Sequence, residues 1–230
     1  MPPSPMPLTP PASEAELRER AAAIAGRTLG EVAARFALAV PPDLLRAKGW
    51  VGQLVERALG ADAASRDCPD FTELGIELKT LPVDRQGRPV ESTFVCTIAL
   101  RELRELPWAE SRVRRKLDRV LWVPVEGERQ IPVARRRIGT ALLWSPDPEQ
   151  EAALRFDWEE LGGTIGRGGI ESLTGHLGRH LQVRPKAAHS RIRRRAIDAE
   201  GMLTETMPRG FYLRPSFTAG ILRRHYALPG

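Results

Sequence analysis

The chain has 230 residues, 42% of them apolar and 28% charged, with a net charge of +6; this fits one sizeable soluble domain, or one built of two lobes. No apolar run approaches the roughly 18 to 20 residues of a membrane span. Cys68 and Cys96 are too few and too scattered for a zinc site or a disulfide framework, and read as reduced thiols of a cytoplasmic protein. The opening stretch, MPPSPMPLTPPAS, lacks the basic start and apolar core of a secretory signal, and its prolines predict a flexible tail over residues 1–13.

Ser13 followed by Glu16 predicts a capped helix from about Glu14 to Ala25, ended by Gly26. Thr28 and Glu31 predict a second, Leu29 to Phe36, with Leu29, Val32, Ala33 and Phe36 at helical spacing. Pro41-Pro42-Asp43 reads as opening a short helical turn. KGWVGQLVERALG predicts a helix from about Gly49 to Leu59, stopped by Gly60. Glu56 sits beside its apolar stripe, as a third acid of a metal site or as half of a surface pair with Arg57.

DFTELGIELK, Asp70 to Lys79, organises the rest. LGIELKTL alternates as a half-buried strand, with Ile76 and Leu78 on one face and Glu77 and Lys79 on the other. At about 3.3 Å per residue, the bases of Glu77 and Lys79 stand roughly 6 to 7 Å apart. A turn at Cys68-Pro69-Asp70 can swing Asp70 back toward Glu77. Two carboxylates can hold Mg²⁺, and an adjacent lysine can orient or deprotonate a water or offset charge on a phosphate. The spacing resembles that of restriction-endonuclease-like nucleases; on its own, E-x-K also reads as an ordinary surface Glu and Lys. A turn over 83–89 leads to a second strand, Ser92 to Ala99, and the two predict a hairpin carrying the site.

Ala109 to Leu117 reads as a basic helix or loop containing Lys116. VLWVPV predicts a buried strand whose proline marks an edge or an end. Arg135-Arg136-Arg137 reads as a solvated cluster. Asp147 to Leu161 reads as an acidic helix, followed by a flexible turn over 162–169 that lacks the Lys-Ser/Thr of a phosphate loop. HLQVR predicts a strand ending in Pro185-Lys186, a rigid loop suited to reading guanine in a groove. Arg191 to Arg195 reads as a phosphate-facing run or a solvated helix face. Pro208 to Leu213 reads as a turn into a strand, and Phe217 to Leu228 as a closing helix. The four histidines show no metal-ligand spacing.

Charge and lysine usage divide the chain. Residues 1–107 hold 13 basic and 15 acidic residues, and residues 108–230 hold 22 and 14. This puts acid chemistry in residues 14–107 and phosphate-binding charge in residues 108–230, which suits a polyanion bridging the two; a generally basic surface is the alternative reading. Of 35 basic residues only four are lysine: Lys48, Lys79, Lys116 and Lys186. A lysine kept against such a bias suggests a place where a guanidinium fork will not serve.

In order along residues 13–226, KGWVGQLVE, DFTELGIELKTLPVD, GRPVESTFVC, RKLDRVLWVPVEGER, LQVRPKAA and PRGFYLRPSFT resemble the MutH family, the strand-nicking endonucleases of methyl-directed DNA mismatch repair. The likeness is looser at 100–107, 162–179 and 191–206. The resemblance implies a type II restriction-endonuclease-like α/β fold, a mixed sheet flanked by helices in two lobes around a DNA cleft. It implies a monomer performing Mg²⁺-dependent hydrolysis 5′ of the G of GATC on the unmethylated strand, activated by MutL after MutS finds a mismatch. Asp70 and Glu77 resemble the family's metal ligands, Lys79 the partner of the attacking water, Glu56 an additional acid and Lys116 an active-site lysine. Arg184, Pro185 and Lys186 resemble the base-reading loop, Tyr212 with Phe94 the contacts that sense sequence and methylation, and Lys48 and Glu91 DNA-side positions. The alternatives are a GATC restriction-type nuclease cutting both strands, or a DNA-binding module without catalysis.

Overall fold

The computed structural model describes residues 8–64, 66–98, 106–166, 177–186, 194–197, 203–206 and 208–227. Six α-helices lie among them: α1 Glu14–Ile24, α2 Leu29–Arg35, α3 Trp50–Leu59, α4 Arg112–Leu117, α5 Pro148–Gly166 and α6 Pro215–Tyr226. The strands are β1 Glu77–Val83, β2 Thr93–Thr97, β3 Val120–Glu126, β4 Leu142–Trp144, β5 Leu181–Pro185, β6 Arg194–Ile197, β7 Leu203–Thr206 and β8 Arg209–Leu213. Among the described residues no helix is long and apolar enough to cross a membrane.

Two compact units form. The first takes the described residues of Met1–Glu91, Arg119–Ser145 and Leu222–Gly230, the second those of Ser92–Asp118 and Pro146–Ile221. The units interleave along the chain, whereas the charge division places a single boundary at residue 107.

In the first unit the strand order is β1-β3-β4, with β1 parallel to β3 and β4 antiparallel to it. The buried faces of α1, α2 and α3 supply Leu17, Leu29, Val32, Leu54, Val55 and Leu59, which share one core with Ile76, Leu78, Leu121 and Val123. Capping follows the sequence closely. Thr28 and Glu31 form a complete capping box, a device worth about 1 kcal/mol. Ser13 Oγ accepts from the Glu16 amide, while the Glu16 carboxylate accepts from the Ala12 amide at 2.8 Å. Arg20 Nη1 donates to the Thr9 carbonyl at 2.7 Å, so residues 9–12 are tied to α1. Gly49 and Gly60 bracket α3 with φ of 87° and 81°.

The second unit holds a sheet ordered β2-β8-β5, antiparallel throughout, and a β6–β7 pair. One face of the larger sheet buries Leu181, Val183, Phe211 and Leu213. Its other face carries the rows Phe94–Tyr212–Gln182 and Thr97–Gly210–Arg184. On this second face Gln182 and Gly210 are buried, Phe94, Thr97 and Tyr212 half-buried and Arg184 exposed.

Six expectations change. Residues 41–46 form no helical turn; Asp43 Oδ1 accepts from the Leu45 and Arg46 amides instead, a local bond that competes with helix. The strand starts at Glu77 because residues 72–75 are spent on a tight loop closed by Phe71 and Ile76. β1 and β2 form no hairpin. The 84–88 turn does close, but the apolar run of β3 takes the ladder beside β1 and β2 pairs with β8. β3 is a middle strand, and Pro124 is tolerated because β4 pairs only with residues 120–122. Finally, α5 runs through Gly166, so residues 162–166 are helix; 167–169 lie outside the described residues. Arg194 and Arg195 stand in a strand rather than on a helix face; Arg191 to Arg193 lie outside the described residues.

Candidate active site and nucleic-acid interface

The turn ahead of β1 positions the acids. Phe71 and Ile76 exchange backbone hydrogen bonds of 2.9 and 3.3 Å across the 72–75 loop. Gly75 holds φ 66° there, a left-handed conformation that costs glycine nothing. The closure brings Asp70 opposite β1, where its Oδ2 accepts from the Leu78 amide at 2.7 Å. The Asp70 carbonyl accepts from the amides of Asp62 and Ala63. The Asp62 carboxylate in turn accepts from the Thr72 amide at 2.9 Å and from the Thr72 hydroxyl. These bonds hold the Asp62 carboxyl below the usual range, the Thr72 hydroxyl being the main cause.

Glu77 and Lys79 lie on one face of β1, and both are mostly buried. They are 6% and 8% exposed, which corrects the half-buried expectation. Lys79 Nζ donates to Glu77 Oε1 at 3.0 Å. A buried pair of this kind holds together because each partner compensates the other; removing one costs about 3–5 kcal/mol. Across the ladder Lys79 faces Trp122, a fully buried side chain whose indole N–H has no partner among the described residues.

Glu56 belongs to the same electrostatic group. Its carboxyl is pushed above the ordinary value chiefly by burial, then by the charges of Asp70 and Glu77, with Lys79 opposing. Arg57 packs over the Phe36 ring, 5.9 Å from its centroid, as adjacent helical residues must diverge. The surface-pair alternative for Glu56 is thereby set aside. Three carboxylates around one ammonium leave a surplus of negative charge. Among the described residues no set of three His, Cys, Asp or Glu side chains is arranged as a ready-made metal cage. Lys48 is exposed ahead of α3 and Glu91 is exposed after the 84–88 turn, both in the first unit.

Lys116 lies in the last turn of α4, in the second unit. There α4 is braced to α5. Trp108 Nε1 and Arg114 Nε donate to Glu151 Oε1 at 2.6 and 2.9 Å, and Arg114 also pairs with Asp118.

The expected base-reading residues come together on the open face of the second unit's sheet. Phe94 and Tyr212 meet edge to face with ring centroids 5.3 Å apart. Lys186 Nζ stands 3.5 Å from the Phe94 ring centroid and 3.3 Å from Thr97 Oγ1. The Arg184 guanidinium stands 6.0 Å from the Tyr212 ring. Burial pushes the Tyr212 phenol up, with Arg184 opposing, so its O–H remains a donor at neutral pH. Arg184, Pro185 and Lys186 are all exposed at the end of β5. The start of β5 is fixed by Asp157, a buried carboxylate accepting from the Arg179, His180 and Leu181 amides.

Three residues of this face escape a motif search. Ser92 Oγ accepts from Arg184 Nη1 and from Gln182 Nε2. Gly210 is the third: a Cβ there would stand 2.8 Å from the Phe94 ring and 3.0 Å from the Cys96 carbonyl. The signal for Gly210 is its place in PRGFYL, a glycine inside a strand, which marks a close approach.

A mixed α/β protein whose strand β1 carries a buried acid–lysine cluster is consistent with the restriction-endonuclease-like class. Comparison with known proteins narrows this. The family model described as "DNA mismatch repair enzyme MutH" matches residues 59–157. The chain is 55% identical over 223 residues to the DNA mismatch repair protein MutH of Serratia proteamaculans (strain 568), covering 97% of each chain. It is 53% identical over 222 residues to that of Photorhabdus laumondii, covering 96% of this chain and 97% of the relative. The chain belongs to the MutH family.

Proposed function

We propose that this protein is a Mg²⁺-dependent DNA endonuclease of mismatch repair. It nicks the unmethylated strand 5′ of the G at GATC, acts as a cytoplasmic monomer, and is activated by MutL after MutS recognises a mismatch. Membership of the MutH family supports the repair assignment. The observations that support the chemistry are the Lys79–Glu77 ion pair and the bond from the Leu78 amide to Asp70, which set two acids and a lysine at the head of β1, with Glu56 within electrostatic reach.

The donor set suits Mg²⁺. Carboxylate oxygens are the hard ligands this ion takes, and it commonly binds one or two of them together with substrate phosphate. Asp70 and Glu77 would hold it, and their surplus charge with Glu56 is what a cation would relieve. Bound there, the ion would polarise phosphate oxygens and acidify water.

The chain's own residues supply the rest. Lys79 Nζ, fixed by Glu77, places a compact positive charge beside the reacting phosphodiester. It orients the attacking water and offsets charge developing on the phosphate. Asp70 is immobilised by the Leu78 amide, so the acid does not reorganise as the reaction proceeds. Arg184, Lys186, Phe94 and Tyr212 contact base edges and set register, with Lys48 and Glu91 on the DNA side and Lys116 as a further active-site amine. Surface charge of the Arg-rich chain draws in the duplex.

The test is a supercoiled plasmid carrying GATC, unmethylated or fully methylated, with Mg²⁺, with and without MutL. We expect nicked circles from unmethylated plasmid only, accelerated by MutL. Glu77→Gln keeps the side-chain shape and an acceptor for Lys79, and should lower nicking at least 100-fold while leaving binding to a short duplex within about threefold. Linear product formed in one encounter would point to a double-strand cutter. Absence of any Mg²⁺-dependent cleavage would point to a binding module.

A further inference from the structure

On the second unit's sheet one hydroxyl serves two partners. Ser92 Oγ lies 2.7 Å from Gln182 Nε2 and 3.1 Å from Arg184 Nη1. Gln182 is 5% exposed and stands opposite Tyr212 in the β5–β8 register. Arg184, two residues on along the same face, is exposed. Gln182 is therefore the fixed member of the trio, and Ser92 transmits its position to a guanidinium that would otherwise sample many rotamers. The Tyr212 ring limits Arg184 on another side, at 6.0 Å. An arginine already confined in this way loses less freedom when it grips a base edge, and its planar fork discriminates only when correctly aimed.

We infer that Ser92, anchored by Gln182, is a positioning residue that pre-aims Arg184 and thereby sets how sharply the protein discriminates its DNA sequence. This rests on the reading that Arg184 contacts a base. Ser92 itself touches no substrate in this account; it acts through Arg184.

The experiment uses the full chain with Mg²⁺. Nicking of a GATC plasmid is compared with nicking of one altered by a single base pair in the site, for Ser92→Ala, Ser92→Thr, Arg184→Ala and the Ser92→Ala/Arg184→Ala double variant. Ser92→Ala should lower the cognate-to-altered ratio about tenfold, mainly through a higher KM, with kcat on the cognate site within about twofold. Ser92→Thr, which keeps the hydroxyl, should restore the ratio. The double variant should discriminate no worse than Arg184→Ala alone, because the serine has nothing left to aim. If Ser92→Ala loses its cooperative melt, Ser92→Cys serves in its place. A Ser92→Ala ratio equal to wild type, or losses that multiply in the double variant, would overturn the inference. Arg184→Ala leaving the ratio unchanged would instead overturn the base-reading assignment beneath it.

Discussion

Glu56 shows what a half-buried acid beside other acids costs the fold. Its carboxyl is raised first by burial and then by Asp70 and Glu77, so ionised Glu56 weakens the folded state. For a raised carboxylate that cost is absent below the ordinary value of 4.5 and grows as pH rises through the folded one. Glu56→Gln should therefore melt about 2 °C above wild type at pH 7 in the absence of divalent ions. The gap should close as pH falls toward 4; calorimetry from pH 4 to 8 measures it, and a gap that stays constant would show that Glu56 carries no such cost. Tyr212 gives a second prediction. A methyl on adenine N6 removes one donor orientation and adds bulk in the major groove. Truncation by Tyr212→Ser should raise cutting of methylated strands relative to unmethylated ones by about tenfold. Matched hemimethylated duplexes would show this, and an unchanged preference would exclude Tyr212 as the sensor.

Among elements, the loop before β1 matters most. Asp62 ties Thr72 by backbone and side chain, and the segment so held presents Asp70 to Leu78. The Asp62 carboxyl is depressed, chiefly by the Thr72 hydroxyl. Its stabilisation is thus present above the ordinary value of 3.8 and lost as pH falls through the lowered one. Asp62→Ala should melt about 1–2 °C below wild type at pH 6. The gap should begin to close below about pH 3.8, as followed by circular dichroism; equal melting at pH 6 would mean the tie contributes nothing. The loop also shows why boundaries were hard to read. The alternation of LGIELKTL extends through Leu74 and Gly75, but a loop closed by backbone bonds uses residues that carry the strand's pattern. Helices were more legible, because capping residues such as Thr28 and Glu31 act within a few positions of the element they start.

Across the whole molecule, local signals carried well and long-range pairing did not. The acid–lysine spacing, the capped helices and the strand over HLQVR stand close to where the residues predicted them. The partner of β1 could not be read, since β3 lies beyond an excursion that belongs to the other unit. Charge counted by halves of the sequence likewise differs from the division the contacts make, because compaction joins segments that are remote along the chain. Ser92 and Gln182 stayed invisible for the same reason: a hydroxyl and an amide ninety residues apart carry no motif until the sheet sets them side by side.

That excursion also orders events during synthesis. β1 leaves the ribosome with an open backbone edge and keeps it until the chain has been extended through residue 126, where β3 ends. A polypeptide released before that point would possess Glu56, Asp70, Glu77 and Lys79 yet lack the neighbouring strand that completes the ladder beside them.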